Sequence, residues 1–297
     1  MSEHRPWLRR VLHYLEGVAV ALAFALIGIL PLDVASWIGG TIARIIGPAL
    51  AVTKRARANL RRAFPGIGDQ EVDTIIRGMW DNIGRVTAEY PHLGKFDLYQ
   101  PGGRVEVHGV APVVAGHRTG QRYIFFSGHF GNWEVGTLAS TQTGMKAIEI
   151  YRAANNPIVD RIIIKARTAM GRRLAPKGPL AARALIAAPQ QGLNLGMLVD
   201  QKMNDGIPVP FFGRDAMTAP ALARLALKYG YLPVPFRVER VRGAHFRLIA
   251  EPPMTLPKSG DLQADTLALM TEVNRVLERW IRERPDHWFW IHRRWPD

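Results

Sequence analysis

The chain has 297 residues, with 39 Lys plus Arg against 25 Asp plus Glu and a formal net charge of +14. It contains no cysteine, which excludes disulfides, thiolate metal ligands and a cysteine nucleophile. A hydrophobic content of 47% supports a large buried core and argues against a disordered chain. The positive charge favours an anionic partner: nucleic acid, anionic lipid, a phosphorylated substrate or an acidic protein.

The first predicted element is an apolar helix that follows Arg5, Arg9 and Arg10. No charged residue occurs between Glu16 and Asp33, so the helix approaches the roughly 20 residues needed to cross a bilayer. We predict an uncleaved, membrane-associated helix. A cleaved signal peptide and a helix pair buried in a soluble protein are the alternatives.

A second apolar stretch, residues 34–50, is typical of an interfacial or buried helix. Basic residues follow it closely, and such clusters favour the cytoplasmic side and anionic lipid: Lys54, Arg55, Arg57, Arg61 and Arg62. We therefore expect a membrane anchor and interfacial helix over 1–50, and one α/β domain over 51–297.

Residues 52–90 are predicted to be helical, with Asp69 as an N-cap. Strands and helices then alternate, which indicates an α/β fold with a central, mostly parallel mixed sheet flanked by helices. The predicted strands are 105–110, 122–127, 146–151, 194–200, 232–240 and 245–251. The predicted helices are 132–143, 155–170, 179–188, 217–229 and 261–283. The last two strands, joined at Arg242-Gly243, are expected to form a hairpin at one edge.

The segment 127–134, Ser-Gly-His-Phe-Gly-Asn-Trp-Glu, lies where a predicted strand meets a helix. A histidine with a carboxylate partner can take a proton from a hydroxyl near neutral pH. We expect His129 in the loop, Glu134 in the first helical turn as its partner, and Asn132 as the helix N-cap. The helix N–H groups would then stabilise an oxyanion. The alternative is a buried structural histidine.

This segment resembles the His-x4-Asp/Glu motif of glycerolipid acyltransferases, and in particular the late acyltransferases of lipid A biosynthesis. Further blocks of that family have counterparts in the chain. They are Tyr-Arg-x-x-Asn-Asn-Pro at 151–157, Asp-Gln at 200–201, Phe-Phe-Gly at 211–213 and Trp-x-His-Arg-Arg at 290–294. The resemblance covers most of the chain.

The resemblance implies a fold like that of glycerol-3-phosphate acyltransferases and transfer of an acyl chain from acyl carrier protein to a hydroxyl of a lipid A precursor. His129 would be the general base and Glu134 its partner. The hydroxyl would attack the thioester directly, without a cofactor or metal. The expected location is the bacterial inner membrane, with the catalytic domain on the cytoplasmic side.

Four residues are candidates for substrate binding: Arg152, Asn132, Asn155 and Asp200. The planar guanidinium of Arg152 suits a phosphate or carboxylate, and an ion pair within the fold is the alternative. Asn155 and the adjacent Asn156 are also typical of a helix cap. Asp200 lies at a strand end, where active-site residues collect, and a local bond to the backbone is the other interpretation.

Two aromatic groups have alternative interpretations. Phe211 and Phe212 would line an acyl channel or, more in keeping with their residue type, pack in the core. The tryptophans at 288–295 would form an interfacial belt or a C-terminal strand packed on the core. Ser127 is interpreted as structural because the chain lacks a Gly-x-Ser-x-Gly elbow.

Other functions stay open at this stage. The same chemistry with acyl-CoA would serve another glycolipid, such as a mannosylated phosphoinositide, or a lysophospholipid. A membrane-tethered nucleic-acid-binding protein fits the charge, but no interleaved Arg–aromatic platform supports it, and nucleic acid is not an expected partner. An esterase that uses the same pair on water is the third possibility.

Overall fold

The computed structural model describes residues 6–176 and 178–295, so Arg5 lies outside the described residues. Its α-helices are α1 (Pro6–Ile29), α2 (Leu32–Ile46), α3 (Thr53–Ala63), α4 (Asp69–Glu89), α5 (Val110–Arg118), α6 (Trp133–Gln142), α7 (Pro157–Ala169), α8 (Pro179–Ala187), α9 (Ala221–Tyr229) and α10 (Leu262–Glu283). Short 3-10 turns cover Gly47–Ala49, Tyr90–Lys95 and Pro285–His287.

The strands are β1 (Val105–His108), β2 (Tyr123–Ser127), β3 (Ala147–Tyr151), β4 (Arg173–Pro176), β5 (Asn194–Leu198), β6 (Lys202–Phe211), β7 (Arg214–Thr218), β8 (Leu232–Arg242) and β9 (His245–Ala250). Seven of them form one sheet in the order β1-β9-β8-β2-β5-β3-β4, while β6 and β7 form a separate hairpin. Within the large sheet every neighbouring pair is parallel except β8 and β9. The predicted α/β fold with a mostly parallel sheet is confirmed.

Strand β2 lies near the middle of this sheet, and its side chains alternate between the two faces. Ile124 and Phe126 pack in a cluster with α9 and α10, whereas Tyr123 packs with Val113 of α5 on the other face. Because both faces are covered, the strand is apolar throughout. Its open end, after Ser127, is therefore where a polar group can reach solvent.

Two strand predictions need correction. The hairpin of β8 and β9 forms, but it does not end the sheet, because β1 pairs in parallel with β9 on its outer side. The first strand stops at His108 rather than Val110. Gly109 has a left-handed backbone (φ 74°) and Val110 already begins α5, since glycine enters that conformation without a Cβ penalty.

The helix predicted over 217–229 starts only at Ala221, because Arg214–Thr218 forms β7 and pairs antiparallel with β6. Strand β6 was not predicted, since Pro208 and Pro210 remove ladder donors. Such prolines are tolerated here because β6 belongs to a two-stranded sheet with open edges.

The N-cap position of α4 is occupied by Gly68, not by Asp69 as predicted. The Asp69 carboxylate instead accepts a hydrogen bond from Arg61 Nη2 at 2.6 Å. A carboxylate in the first turn still interacts favourably with the helix dipole.

Helix α1 contains Arg10–Ile29, a stretch long and apolar enough to cross a membrane by length and composition, which alone is weak support for a span. Almost none of this stretch is buried, so the alternative of a helix sealed in a soluble core is not supported. Helix α2 packs closely on α4, where Gly39 and Gly84 leave no room for a Cβ. Its other face exposes Trp37 and Ile45. Separation into an anchor over 1–50 and a domain over 51–297 stays a prediction.

Candidate active site

His129 meets Asp200 at the carboxyl edge of the sheet. In the parallel pairing of β2 and β5, Ser127 lies opposite Leu198. His129 and Asp200 each follow their strand by two residues, so the same register brings them together. The Nδ1 atom of His129 lies 2.8 Å from Oδ1 of Asp200, and the imidazole keeps a side-chain exposure of 16%.

The carboxylate of Asp200 is buried and fully engaged. Its Oδ2 accepts hydrogen bonds from the backbone N–H of His129 at 2.8 Å and from Nε1 of Trp288 at 2.9 Å. Burial by itself raises the pKa of Asp200, but the charge and hydrogen bonds of His129 outweigh it and hold that pKa well below its usual range. Asp200 thus fixes the ring of His129 through Nδ1 and leaves Nε2 to exchange a proton. The expected backbone bond of Asp200 is present, and the contact with the imidazole comes in addition.

Glu134, the predicted partner of His129, lies in a different environment. Among the described residues its carboxylate accepts hydrogen bonds from Arg167, from Nη1 of Arg172 at 2.7 Å and from Nε1 of Trp133 at 3.2 Å. The expected contact between His129 and Glu134 is not formed, and this part of the prediction is corrected. Glu134 lies within α6, where its carboxylate bonds to Arg167 of α7 and to Arg172, just before β4, instead of to His129.

Glu134 belongs to a buried network of four charged residues, here called the charge network: Glu134, Glu149, Arg167 and Arg172. Arg172 bonds to both Glu134 and Glu149, so the network ties α6 to β3 and to the start of β4. Burial opposes ionisation of Glu134, but the two guanidiniums prevail and lower its pKa to about 2. Burial raises the pKa of Glu149 despite its bonds to Arg172, so Glu134 is the carboxylate of this network that the arginines hold most firmly in its ionised form.

The loop between β2 and α6 is held from several sides. Asn132 is the N-cap of α6, as predicted: its Oδ1 accepts from the backbone N–H of Glu134 and Val135, and its Nδ2 donates to Glu89 at 2.7 Å. Asn132 is completely buried, so its amide serves the protein, and its predicted substrate contact stays a prediction. Because Asn132 takes up the N–H groups of Glu134 and Val135, only that of Trp133 is left in the first turn for the expected stabilisation of an oxyanion.

Gly131 allows this loop to pass under β8. Its φ is +55°, and a Cβ there would lie 1.7 Å from the carbonyl oxygen of Val238. Its own carbonyl accepts from Asn82 Nδ2 at 3.0 Å, and its N–H donates to the carbonyl of His287 at 2.9 Å. Any other residue at this position would displace the loop that carries His129.

Arg152 and Asn155 are exposed and lie after β3, the neighbour of β5, at the same edge as His129. Arg152 Nη2 donates to Asn155 Oδ1 at 3.4 Å. Within residues 6–176 and 178–295 Arg152 forms no ion pair, so the alternative interpretation of Arg152 as an ion-pair partner within the fold is not supported. The helix cap belongs to Asn156, whose Oδ1 accepts from Ile158 N at 2.9 Å, and not to Asn155.

Residues 288–295 pack on the core and do not form an interfacial belt: Trp288, Trp290 and Trp295 are buried. The predicted strand there is limited to one bridge between Phe130 and Trp288. Phe211 and Phe212 join the same cluster, which confirms core packing over an acyl channel. Ser127 is also buried.

This tail covers His129. The ring centroid of His129 lies 4.7 Å from that of His292 and 6.0 Å from that of Phe289, while Trp133 packs from the other side at 5.0 Å. His292 was not predicted as a site residue. Its only sequence signal is its place in the Trp-x-His-Arg-Arg block, because a separation of 163 positions hides its contact with His129.

His129, Asp200 and His292 offer ligand atoms within 4.8 Å of one another, a donor set of the kind that binds zinc or iron. Both oxygens of Asp200, however, already accept hydrogen bonds. A metal would have to displace the His129 contact. The arrangement therefore fits a hydrogen-bonded proton-transfer site better than a metal centre.

An apolar cavity of about 50 Å³ lies between the sheet and helices α5 and α6. Its lining includes Phe125, Gly136, Ser140 and Gly196, with Glu149 of the charge network at its border. The lining of this cavity is predominantly apolar.

Fold and site together define an α/β enzyme with an imidazole–carboxylate pair at the carboxyl edge of a parallel sheet. The family model described as bacterial lipid A biosynthesis acyltransferase matches residues 3–297. The chain therefore belongs to the bacterial lipid A biosynthesis acyltransferase family, and it is an acyltransferase.

Individual relatives agree with this assignment. The chain is 25% identical over 247 residues to a lipid A biosynthesis lauroyltransferase of Escherichia coli (strain K12), which covers 81% of this chain and 78% of that protein. It is 23% identical over 241 residues to a lipid A biosynthesis myristoyltransferase of the same organism, covering 80% and 73%. A lipid A biosynthesis acyltransferase 1 of Shigella flexneri matches to the same extent.

Proposed function

We propose that this protein transfers a fatty acyl chain from acyl carrier protein to a hydroxyl of a lipid A precursor. The proposal is supported by the family and by relatives named as lipid A lauroyl- and myristoyltransferases. The observation that carries the mechanism is the 2.8 Å contact between Nδ1 of His129 and Oδ1 of Asp200.

In this mechanism Nε2 of His129 takes the proton of the acceptor hydroxyl while the hydroxyl oxygen attacks the thioester carbonyl carbon. The carbonyl π electrons move to oxygen and return as the C–S bond breaks. The departing thiolate receives the proton from His129, so neither a cofactor nor an acyl-enzyme is needed. Asp200 keeps Nδ1 protonated and stabilises the imidazolium in the middle of the reaction. Glu134, predicted for this role, is assigned to anchoring α6.

Both substrates carry negative charge, and the protein offers positively charged groups for each. Acyl carrier protein is acidic, and the net charge of +14 favours its approach. The exposed pair Arg152 and Asn155, at the same sheet edge as His129, suits a phosphate of the acceptor. The acyl chain would run toward the apolar cavity between the sheet and helices α5 and α6, entering it with its methyl end.

We further propose that the protein works at the cytoplasmic face of the bacterial inner membrane. The exposed apolar side chains of α1 and α2, such as Leu26 and Trp37, would enter the lipid. The basic residues of α3 would meet anionic headgroups, because Lys54 and Arg61 follow directly after the apolar stretch.

The test uses purified protein with a panel of acyl-carrier-protein and acyl-CoA donors and lipid A precursors, with products identified by mass. Wild-type protein should acylate a lipid A precursor, and His129→Ala should lower kcat about 10²–10⁴-fold. His108→Ala, which changes an exposed histidine on β1, is the matched control and should keep the wild-type rate. A wild-type rate in His129→Ala would refute the mechanism. Activity with acyl-CoA alone, or with another glycolipid alone, would refute the proposed donor or acceptor.

A further inference from the structure

His292 is held rigidly beside the proposed base. Its ring lies edge-on to His129, with centroids 4.7 Å apart and planes at 68°, and edge-on to Phe289 at 4.5 Å. Its carbonyl oxygen accepts from Asn59 Nδ2 at 2.8 Å, which ties the segment to α3. The orientation of the imidazole is therefore set before any substrate arrives.

The ring of His292 has a buried nitrogen without a partner. Nε2 of His292 is buried, and it makes no hydrogen bond within residues 6–176 and 178–295. A buried polar atom without a partner is unfavourable, and such atoms at functional sites often await a ligand. Since the ring touches His129, a ligand that reaches this nitrogen is next to the reacting atoms.

The imidazole of His292 is neutral. Burial lowers its pKa to about 3; the neighbours His129, Arg294 and Arg152 act in the same direction, and Asp200 opposes them. A neutral imidazole carries one N–H and can donate a hydrogen bond without adding a buried charge. Its role would be that of an electrophile, as for other neutral histidines beside a catalytic base.

Acyl transfer needs a donor for the carbonyl oxygen, and the loop around His129 has few left. Five of the seven backbone N–H groups from His129 to Val135 are already bonded: His129 to Asp200, Phe130 to Gly128, Gly131 to His287, and Glu134 and Val135 to Asn132. At the N-terminus of α6 the cap Asn132 takes up the N–H groups of Glu134 and Val135, so of the first three helical N–H groups only that of Trp133 is left for a substrate.

We propose that His292 is a second catalytic residue, which donates a hydrogen bond from Nε2 to the thioester carbonyl oxygen as negative charge develops on it. The inference rests on the proposed acyl transfer with His129 as base. In the reaction, His129 accepts the hydroxyl proton while His292 keeps its own. Its contribution grows as the carbonyl becomes tetrahedral, so it acts mainly on kcat.

Two substitutions of His292 distinguish the effect of its N–H donor from the effect of its aromatic ring. His292→Phe keeps an aromatic ring against His129 and Phe289 but has no N–H. His292→Gln loses the ring but keeps a donor. We expect His292→Phe to lower kcat about 10²-fold or more with KM for donor and acceptor within about twofold, and His292→Gln to recover part of this loss.

His92→Phe is the matched control, because His92 is also buried with one unpartnered nitrogen but lies in the 3-10 turn against α1. It should keep the wild-type kcat. Circular dichroism and thermal melts confirm that each variant is folded. A kcat of His292→Phe within twofold of wild type, an equal loss in His292→Gln, or a rise in KM alone would overturn the inference.

The failure of this inference can be told from that of the proposed function. If His129→Ala is inactive and His292→Phe is fully active, only the role of His292 is wrong. If His129→Ala retains the wild-type rate, the proposed mechanism itself fails.

Discussion

Two of the buried carboxylates near the His129 loop, those of Glu134 and Asp200, illustrate different uses of the same chemistry. Glu134 is five positions from His129 in sequence, yet it bonds to Arg167 and Arg172. Asp200 is 71 positions away, yet it bonds to the imidazole and to the backbone N–H of His129. Along a helix, the 3.6-residue turn decides which side chains meet. At a sheet edge, the register of neighbouring strands decides it.

The two sites also differ in what surrounds the charge. Glu134 is paired with the guanidiniums of Arg167 and Arg172 in a buried network, so removing its charge would be costly. Asp200 faces a histidine that is partly exposed and can change its protonation state. Trp133 links the two, since its ring packs on His129 and its Nε1 donates to Glu134. We propose a catalytic role for Asp200 and a structural role for Glu134, and four measurements test this assignment.

The largest effect is expected from Asp200→Asn. The amide cannot stabilise the imidazolium and favours the wrong tautomer of His129, so kcat should fall about 10³–10⁴-fold. Steady-state kinetics with an acyl-carrier-protein donor measure the loss. The double variant with His129→Ala should lose little more than either single variant, because the two residues act as a unit. Multiplicative losses would show that they act independently.

Glu134→Gln should affect stability rather than chemistry. Removing this charge leaves Arg167 and Arg172 buried without full compensation, and breaking such a pair costs about 3–5 kcal/mol. Denaturant unfolding gives this number, and kcat per folded molecule should stay within a few-fold of wild type. A well-folded Glu134→Gln protein with kcat as low as that of Asp200→Asn would restore the role predicted for Glu134 from the sequence.

Acid should weaken the charge network within a defined range of pH. The pKa of Glu134 is about 2 in the folded protein, against an ordinary value of 4.5. Below 4.5 the unfolded chain binds the proton more readily, so stability is lost as pH falls from about 4.5 to about 2, by about 3 kcal/mol. Thermal melts over this range should show a flatter dependence in Glu134→Gln. Identical slopes would mean that the network does not titrate.

The smallest effect concerns the cavity that borders the network at Glu149. Ser140→Leu would fill part of its 50 Å³, and the enzyme should then prefer acyl donors shorter by about two carbons, since each buried methylene contributes about 0.8 kcal/mol. Competition between donors of different length, with products separated by mass, measures the preference. Ala115→Leu, on α5 but outside the cavity lining, is the control and should leave the preference unchanged.

Much of the fold could be predicted from the sequence because local patterns carry it. The apolar runs of β2 and β5 are long and lie between clear turn residues, and the hairpin at Arg242-Gly243 has its own turn chemistry. Strand β4 was not predicted because its four residues, Arg-Leu-Ala-Pro, include no β-branched or aromatic side chain. The order β8-β2-β5-β3 leaves no trace in the local sequence, since it depends on which helices pack on which face.

The site could be predicted only in part, because contacts between distant segments leave no local pattern in the sequence. His129 and Asp200 both stood at predicted strand ends, but placing them together required knowing that β2 and β5 are neighbours. The partnership of His129 with Glu134 came from spacing and a motif, which do not specify where a side chain points. His292 and the arginines of the charge network were missed because their contacts span 23 or more positions.

The ungapped alignment of β2 with β5 has a consequence for how distant family members should be compared. One inserted or deleted residue in 123–129 or 194–200 would slide its functional group by about 3.3 Å and turn it to the opposite face. Length changes are thus expected only outside these two segments. An alignment at 23–25% identity that opens a gap inside either one is in error, and both segments can serve as fixed anchors for building it.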